Sequence, residues 1–362
     1  MKHLSLKIFA TAAIAALAVA WTAGSADACS RIVAKTPGHG VIVSRTLDWQ
    51  DPLGEIAEVS VVGQQRTTRS QGRYKNTAKW TVRYQTLNFV EQLVFDDTVS
   101  EAVSVEGVSA SVLYMADSET LQQNHKDNGA PAVNLNNIVS FVAEKFASVQ
   151  EALDAKESGK WQVAWAETIH PKGDKIHGLH FSMQDKTGHI ALFQYTDQGE
   201  VLYDNHKGDE DIVIMTNDPL LWKQRVMLEY LGEENVRLMG ADISPASRHQ
   251  RLTAYLKAQD FDPKLTRAEI DGKVSMVMDS GGIVPWDVVD QGTGLGYPTH
   301  MKMQYHFDTG DISFKNYNVD EQMRFNIKDI VTFKQQMFAD LMKNSEDGYK
   351  APQWQKTNPA KK

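Results

Sequence analysis

A lone cysteine, Cys29, follows directly on an apolar leader, and this arrangement constrains the chain more than any other feature. With one Cys in 362 residues, neither an intramolecular disulfide nor a Cys-rich zinc site can staple the fold. The core must come from apolar burial. The leader opens with Lys2 and Lys7, continues as an apolar run of 14 residues from 8 to 21, and ends Ala26-Asp27-Ala28. A basic start, a short apolar stretch and small residues at −3 and −1 mark a secretory signal peptide. A membrane span needs roughly 20 apolar residues. Residues 1–28 are therefore expected to be removed, leaving a periplasmic or secreted chain with no membrane attachment after cleavage.

Export sharpens the meaning of Cys29. Exported proteins usually pair their cysteines, so an unpaired one is either reactive or intermolecular. Acylation of Cys29 would make a tethered lipoprotein, but that signal usually has Leu at −3 and a small residue at −2, where Ala26 and Asp27 stand. An accidental terminal Cys is a second reading. The third is an N-terminal nucleophile whose own α-amine is the general base. A thiol titrates near ~8.5 and an α-amine near ~7.7–8.0, so the amine can take the thiol proton and later protonate a leaving group. A neighbouring Arg would favour the thiolate.

The rest of the chain reads as mixed structure. Residues 30–34 and 41–45 flank the turn cluster Thr36-Pro37-Gly38-His39-Gly40, which predicts a β-hairpin. Residues 109–115 predict a strand. Residues 180–183, 190–195, 201–203 and 212–216 predict an antiparallel meander, with turns between them. Ile138, Val142, Phe146, Val149 and Leu153 recur at helical spacing, predicting a helix over 137–155. Further helices are expected around 219–232, 245–258 and 264–279, and strands return near 302–317. The order is not βαβαβ, so helices covering antiparallel sheets in an α+β domain fit best. Residues 344–362 are polar and read as a C-terminal tail. With 46 acidic against 38 basic residues, the net charge of −8 argues against nucleic acid as a partner.

Three segments carry a resemblance to a known family. Cys29-Ser30, followed by Val43-Ser44-Arg45-Thr46-Leu47-Asp48-Trp49, resembles the start of the choloylglycine hydrolases, the family of penicillin V acylases and conjugated bile acid hydrolases. Val213-Ile214-Met215-Thr216-Asn217-Asp218-Pro219 is similar to its V-M-T-N-S-P segment. Ile243-Ser244-Pro245-Ala246-Ser247-Arg248 is similar to its S-x-S-R segment. The likeness runs from Cys29 to about residue 320. It implies an N-terminal-nucleophile hydrolase domain over 29–343 with a four-layer αββα sandwich, acting on small-molecule linear amides with no metal or cofactor. It leaves the assembly open, with a homotetramer among the states of family members.

The resemblance also implies roles. Cys29 would be the nucleophile, Arg45 would hold its thiolate, and Asp48 would orient the terminal amine. Asn217 and the backbone N–H of Tyr114 would form the oxyanion hole. Arg248 would stabilise charge near the reacting centre, and Trp49 and Tyr114 would line the acyl pocket. Tyr114 occurs in many of the penicillin acylases, where bile acid hydrolases have Asn, so the resemblance leans to the acylases. Two departures stand out: Ser104-Val105-Glu106-Gly107-Val108 replaces the family's N-E-x-G-L, and Asp218 stands where Ser is common.

Plainer readings compete at each place. Arg45 and Arg248 could be solvated charges, Asp48 a turn residue, Asn217 a helix start, and Trp49 and Tyr114 ordinary packing. A non-catalytic exported binding protein, or a lipoprotein tethered at Cys29, stands as the alternative from another class. His177 and His180 would point to opposite faces of a strand, which is poor geometry for a metal. Asp204 to Asp211 lacks the EF-hand order and reads as a solvated turn.

Overall fold

In the computed structural model, residues 29–69, 72–95, 97–167, 178–231, 240, 242–290 and 294–361 are described. The leader and His177 lie outside them. The expected hairpin forms from β1 (Ser30–Thr36) and β2 (Gly40–Asp48). Its turn needs Gly40 twice over: the backbone there is left-handed at φ 70, and a Cβ would fall 2.2 Å from the Asp308 carboxyl. β14 (Ile214–Thr216) flanks β1, while β15 (Thr299–His306), β16 (Asp311–Asn316) and β17 (Glu321–Asn326) follow β2 in one antiparallel sheet.

The second sheet has the order β13-β12-β11-β8-β7-β6-β3-β18. These are Gly199–Asp204, Ile190–Thr196, Leu179–Asp185, Val108–Tyr114, Thr98–Ser104, Thr86–Glu91, Glu55–Ser60 and Met337–Asp340, in that order. Short pairs β4 (Gln65–Thr67) with β5 (Lys79–Thr81), and β9 (Ala132–Val133) with β10 (Gln162–Val163), lie apart from both sheets.

Strand parity sorts the core into layers. On β1 and β2, Val33, Val41, Val43 and Leu47 point between the sheets and pack with Leu87, Phe89, Leu192 and Met303. The alternate residues Ile32, Ala34 and Ile42 point outward, against α4 (Pro245–Lys257) and α5 (Arg267–Gly281). The outer face of the second sheet is covered by α1 (Ile138–Lys145) and α2 (Val149–Glu157) through Phe141, Val142 and Leu153. The result is the α+β sandwich expected, in the order helix, sheet, sheet, helix. Its two outer helical layers cover the central strands, while Gln322 and Arg324 on the edge strand β17 stay exposed.

Three differences from the sequence reading have physical causes. The helix expected over 137–155 is two helices. Phe146 is extended, and Ser148 starts α2 by accepting from the Glu151 backbone N–H. The strand region 302–317 turns back on itself at residues 307–310 as β15 and β16. The last strand of the expected meander, β14, leaves its neighbours and pairs with β1 in the other sheet. The helix expected near 219–232 is α3 (Leu221–Leu231). After the short α6 (Leu341–Glu346), the polar C-terminal stretch crosses β18, with Phe338 and Gln355 exchanging both backbone hydrogen bonds at 2.8 Å.

Candidate active site

The crossing of β14 into the first sheet builds the site. Ser30 lies opposite Thr216 in the β1–β14 register, which brings Cys29 and Asn217 together at the end of both strands. The Cys29 backbone N–H donates to Asn217 Oδ1 at 2.5 Å. The other end of the same amide, Asn217 Nδ2, donates to the Tyr114 carbonyl at 3.0 Å. With both ends engaged, the amide has one orientation, oxygen toward Cys29 and NH2 toward β8.

Arg45 and Asp48 approach Cys29 from opposite sides, because an odd spacing along β2 sends them to opposite faces. Arg45 enters from between the sheets. Its Nη1 donates to Ser100 O at 2.6 Å, Ser111 Oγ at 3.2 Å and Glu101 Oε2 at 3.3 Å. Asp48 lies on the helix side, where its carboxylate accepts from Thr299 Oγ1 at 2.7 Å and Thr46 Oγ1 at 3.1 Å. Thr46 Oγ1 in turn accepts from the Ser30 N–H at 3.0 Å. Asp48 thus reaches the Ser30 N–H, next to Cys29, through Thr46, while the Cys29 nitrogen bonds Asn217. The physical reason is valence: the Cys29 nitrogen, joined to residue 28, is a peptide N–H with one hydrogen to give.

Arg248 comes from the first turn of α4, which Ser244 caps and Pro245 opens. It is wholly buried behind Cys29. Its Nη1 donates to Cys29 O at 2.8 Å and Ser30 Oγ at 2.5 Å, and its Nη2 to Asn217 Oδ1 at 3.2 Å. Asp48 Oδ2 lies 3.8 Å away. Arg248 therefore grips the Cys29 carbonyl and does not line the pocket.

The pocket itself holds about 30 Å³. Cys29, Arg45, Asp48, Trp49, Tyr114 and Asn217 all line it, with Leu53, Phe95, Leu113 and Leu179 as further apolar wall. Trp49 packs edge-on against Phe95 with ring centres 4.7 Å apart, and against Tyr114 at 6.2 Å.

Burial dominates the electrostatics. It pushes the Cys29 thiol up to about 12, against the pull of Arg45 and with a further push from Asp48. Asp48 is raised to about 7 by burial, opposed by Arg248, Thr299 and Thr46. With its pKa so raised the thiol is protonated at neutral pH, and only a nearby base or positive charge would favour the thiolate. Sequence reasoning missed Thr46, Thr299, Glu91 and Glu101. A Thr two residues before Asp48 was a usable signal, since residues i and i+2 share a strand face. The two glutamates gave none, because an isolated Glu on a strand reads as solvent-exposed.

Neither histidine nor acidic clusters make a metal site among the described residues. His180 is buried, hydrogen-bonded through Nδ1 to Gln194 at 2.9 Å, and held well below the usual imidazole range, at about 3, by desolvation. Asp204 accepts from the backbone of its own turn and contacts His189 at 2.9 Å.

Known proteins resemble this arrangement. The sequence model described as linear amide C–N hydrolases, choloylglycine hydrolase family, matches residues 29–260. The chain is 27% identical over 251 residues to a penicillin V acylase of Pectobacterium atrosepticum, a match spanning 66% of this chain and 63% of the acylase. Among solved structures, a penicillin V acylase from Agrobacterium tumefaciens superposes with a TM-score of 0.70 at 19% identity, over 86% of this chain and 92% of that one. A variant of the conjugated bile acid hydrolase from Clostridium perfringens gives 0.63 at 16% identity, over 83% and 93%. These two likenesses speak to the fold.

Proposed function

The chain belongs to the choloylglycine hydrolase family, and from that premise we propose that it is an exported amidohydrolase with Cys29 as its N-terminal nucleophile. Its substrates are linear amides with an apolar acyl group, penicillin V and N-acyl homoserine lactones being the class we favour. One observation carries this reading. Cys29, Arg45, Asp48, Tyr114 and Asn217, far apart in sequence, converge on one apolar pocket, with Arg248 bonded to the nucleophile from behind.

Removal of residues 1–28 frees the Cys29 α-amine beside Asn217 Oδ1, and the new ammonium has three hydrogens for the acceptors around it. The neutral amine takes the thiol proton while Arg45 favours the thiolate. The thiolate attacks the amide carbonyl, and the oxyanion that forms is met by Asn217 Nδ2, one of whose two hydrogens is already committed to Tyr114 O. The ammonium protonates the leaving amine, giving a thioester and a free amine. Water, deprotonated by the same amine, then hydrolyses the thioester and regenerates the thiol. Asp48 and Arg248 hold the terminus in place. The aromatic walls formed by Trp49, Phe95 and Tyr114 favour an aryl or long alkyl acyl group. Tyr114 itself leans toward the acylase side of the family.

The test is amine release by the processed protein from penicillin V, a long-chain acyl homoserine lactone and glycocholate, measured together. Release from the first two with little from the third is expected, and Cys29→Ala should release nothing while keeping the fold. Turnover of glycocholate alone would move the enzyme to the bile acid hydrolases. The intact mass of the mature chain tests export: a free Cys29 terminus is expected, and a lipid-sized increment would establish the tethered alternative.

A further inference from the structure

We propose that Asp218 is a positioning residue for amide cleavage: by clamping the backbone just past Tyr114, it aims the second hydrogen of Asn217 Nδ2 at the oxyanion. This rests on the amidohydrolase reading above. Asp218 is buried, follows Asn217 directly, and stands where the resembling family commonly has Ser. It does not line the pocket and touches no reacting atom.

Two segments grip each other here, one leaving β8 and one leaving β14. The Asp218 carboxylate accepts the Ala116 N–H at 3.1 Å on one oxygen and the Asp117 N–H at 2.8 Å on the other. Asp117 returns the contact: its Oδ2 accepts the Leu220 N–H at 3.1 Å and Lys223 Nζ at 2.5 Å. The next N–H, that of Leu221 at the start of α3, donates to Gln194 Oε1 on β12 at 3.0 Å. Each segment thus offers a carboxylate to the backbone of the other. Asn217 Nδ2 crosses the same gap to the Tyr114 carbonyl at 3.0 Å.

The chemistry turns on one planar group. Both hydrogens of an amide NH2 lie in the amide plane. With one bonded to Tyr114 O, the position of that carbonyl fixes where the other points. The carbonyl belongs to the peptide unit whose N–H, that of Met115, donates to Gly178 O at 2.8 Å. The next two N–H groups are those that Asp218 holds. Bonds to a carboxylate are stronger than neutral ones, and two oxygens serve two N–H groups at once. A Ser hydroxyl is shorter, uncharged and has a single oxygen. Loss of Asp218 would free the chain after Tyr114, and the second Asn217 hydrogen would lose its aim while Cys29 and its neighbours stay in place.

The experiment uses the processed enzyme as wild type, Asp218→Ala, Asp218→Ser and Asp218→Asn. It measures kcat and KM for a phenoxyacetyl amide beside the rate of Cys29 alkylation by iodoacetamide. Alkylation displaces iodide from a CH2 group and builds no oxyanion, whereas attack on the amide does. In Asp218→Ala, kcat should fall about tenfold with KM little changed, the pattern of an interaction made only in the transition state. Alkylation should keep its wild-type rate. Asp218→Ser should behave as Asp218→Ala, and Asp218→Asn, whose one oxygen still serves one N–H, should recover part of the loss. Should Asp218→Ala not fold, Asp218→Asn gives the same two readings. An unchanged kcat in the folded variant overturns the inference. So does an equal fall in turnover and alkylation, which would locate the damage at the nucleophile or in the fold. Absence of amide turnover in the wild type fails the proposed function instead.

Discussion

Asp48, Glu55 and Glu91 are carboxyls that the fold keeps away from water, and burial raises them to about 7, 8 and 7. A folded-state value above the unfolded one means the native chain holds protons that the unfolded chain releases. Their contribution is fully favourable below about pH 4 and is lost as pH rises toward 8. Glu55→Gln should therefore stabilise the protein at pH 8, on the order of 2 kcal/mol, and make little difference at pH 4. Urea unfolding at the two pH values measures this, and equal effects at both would refute it. Arg248 is the opposite case, a buried cation with four acceptors around it. Arg248→Met leaves Asp48 buried without that cation and should cost about 3 kcal/mol by the same assay. The residues themselves were largely legible. All of the named candidates gather at Cys29: Arg45 and Asp48 come on a hairpin whose parity can be counted from the sequence, while Asn217, Tyr114 and Arg248 are brought by β14, β8 and α4. Glu91 and Glu101 were not legible, since only the sheet pairing reveals that both faces of β6 and β7 are covered.

At the scale of elements, local signals were reliable where they were self-contained. α5 begins at a full capping box, with Thr266 and Glu269 each bonding the other's backbone. Thr266→Ala should lower stability by about 1 kcal/mol while leaving amide turnover unchanged, since the cap is exposed and far from the pocket in the fold. A thermal melt beside an activity assay reads both. The break between α1 and α2 was also present in the sequence as Ser148-Val149-Gln150-Glu151, an S-x-x-E start signal. The apolar spacing across it spoke for continuity, and the cap won because Phe146 is extended and buried, ending α1. The fate of β14 was not legible. Three residues cannot state which sheet they will join, and their pairing with β1 depends on contacts nearly 190 residues away in sequence, of which the Cys29–Asn217 bond is one.

The whole molecule is two sheets faced by helices, and alternation along each strand foretold that layering even where strand partners stayed open. Its least expected part is the end of the chain. Beyond the Phe338–Gln355 bridge, Trp354 meets Phe333 edge-on at 5.6 Å, and Asn358 donates to Gln92 at 3.3 Å, next to Glu91. This segment covers β18, the outer strand of the second sheet, whose backbone would otherwise invite a second chain. Truncation after Tyr349 should lower the melting temperature by several degrees and raise light scattering on heating; an unaltered melt would show that the segment contributes nothing. Asp218, the departure from the family's Ser, has a role of a different kind. Its carboxylate accepts the N–H groups of Ala116 at 3.1 Å and Asp117 at 2.8 Å, just after Tyr114, while Asn217 beside it holds the Tyr114 carbonyl. One short segment of the first sheet is thereby keyed at three points to the end of a strand in the second. These three bonds act as a gauge block, setting the spacing between Tyr114 and Asn217 directly rather than leaving it to the packing of one sheet on the other.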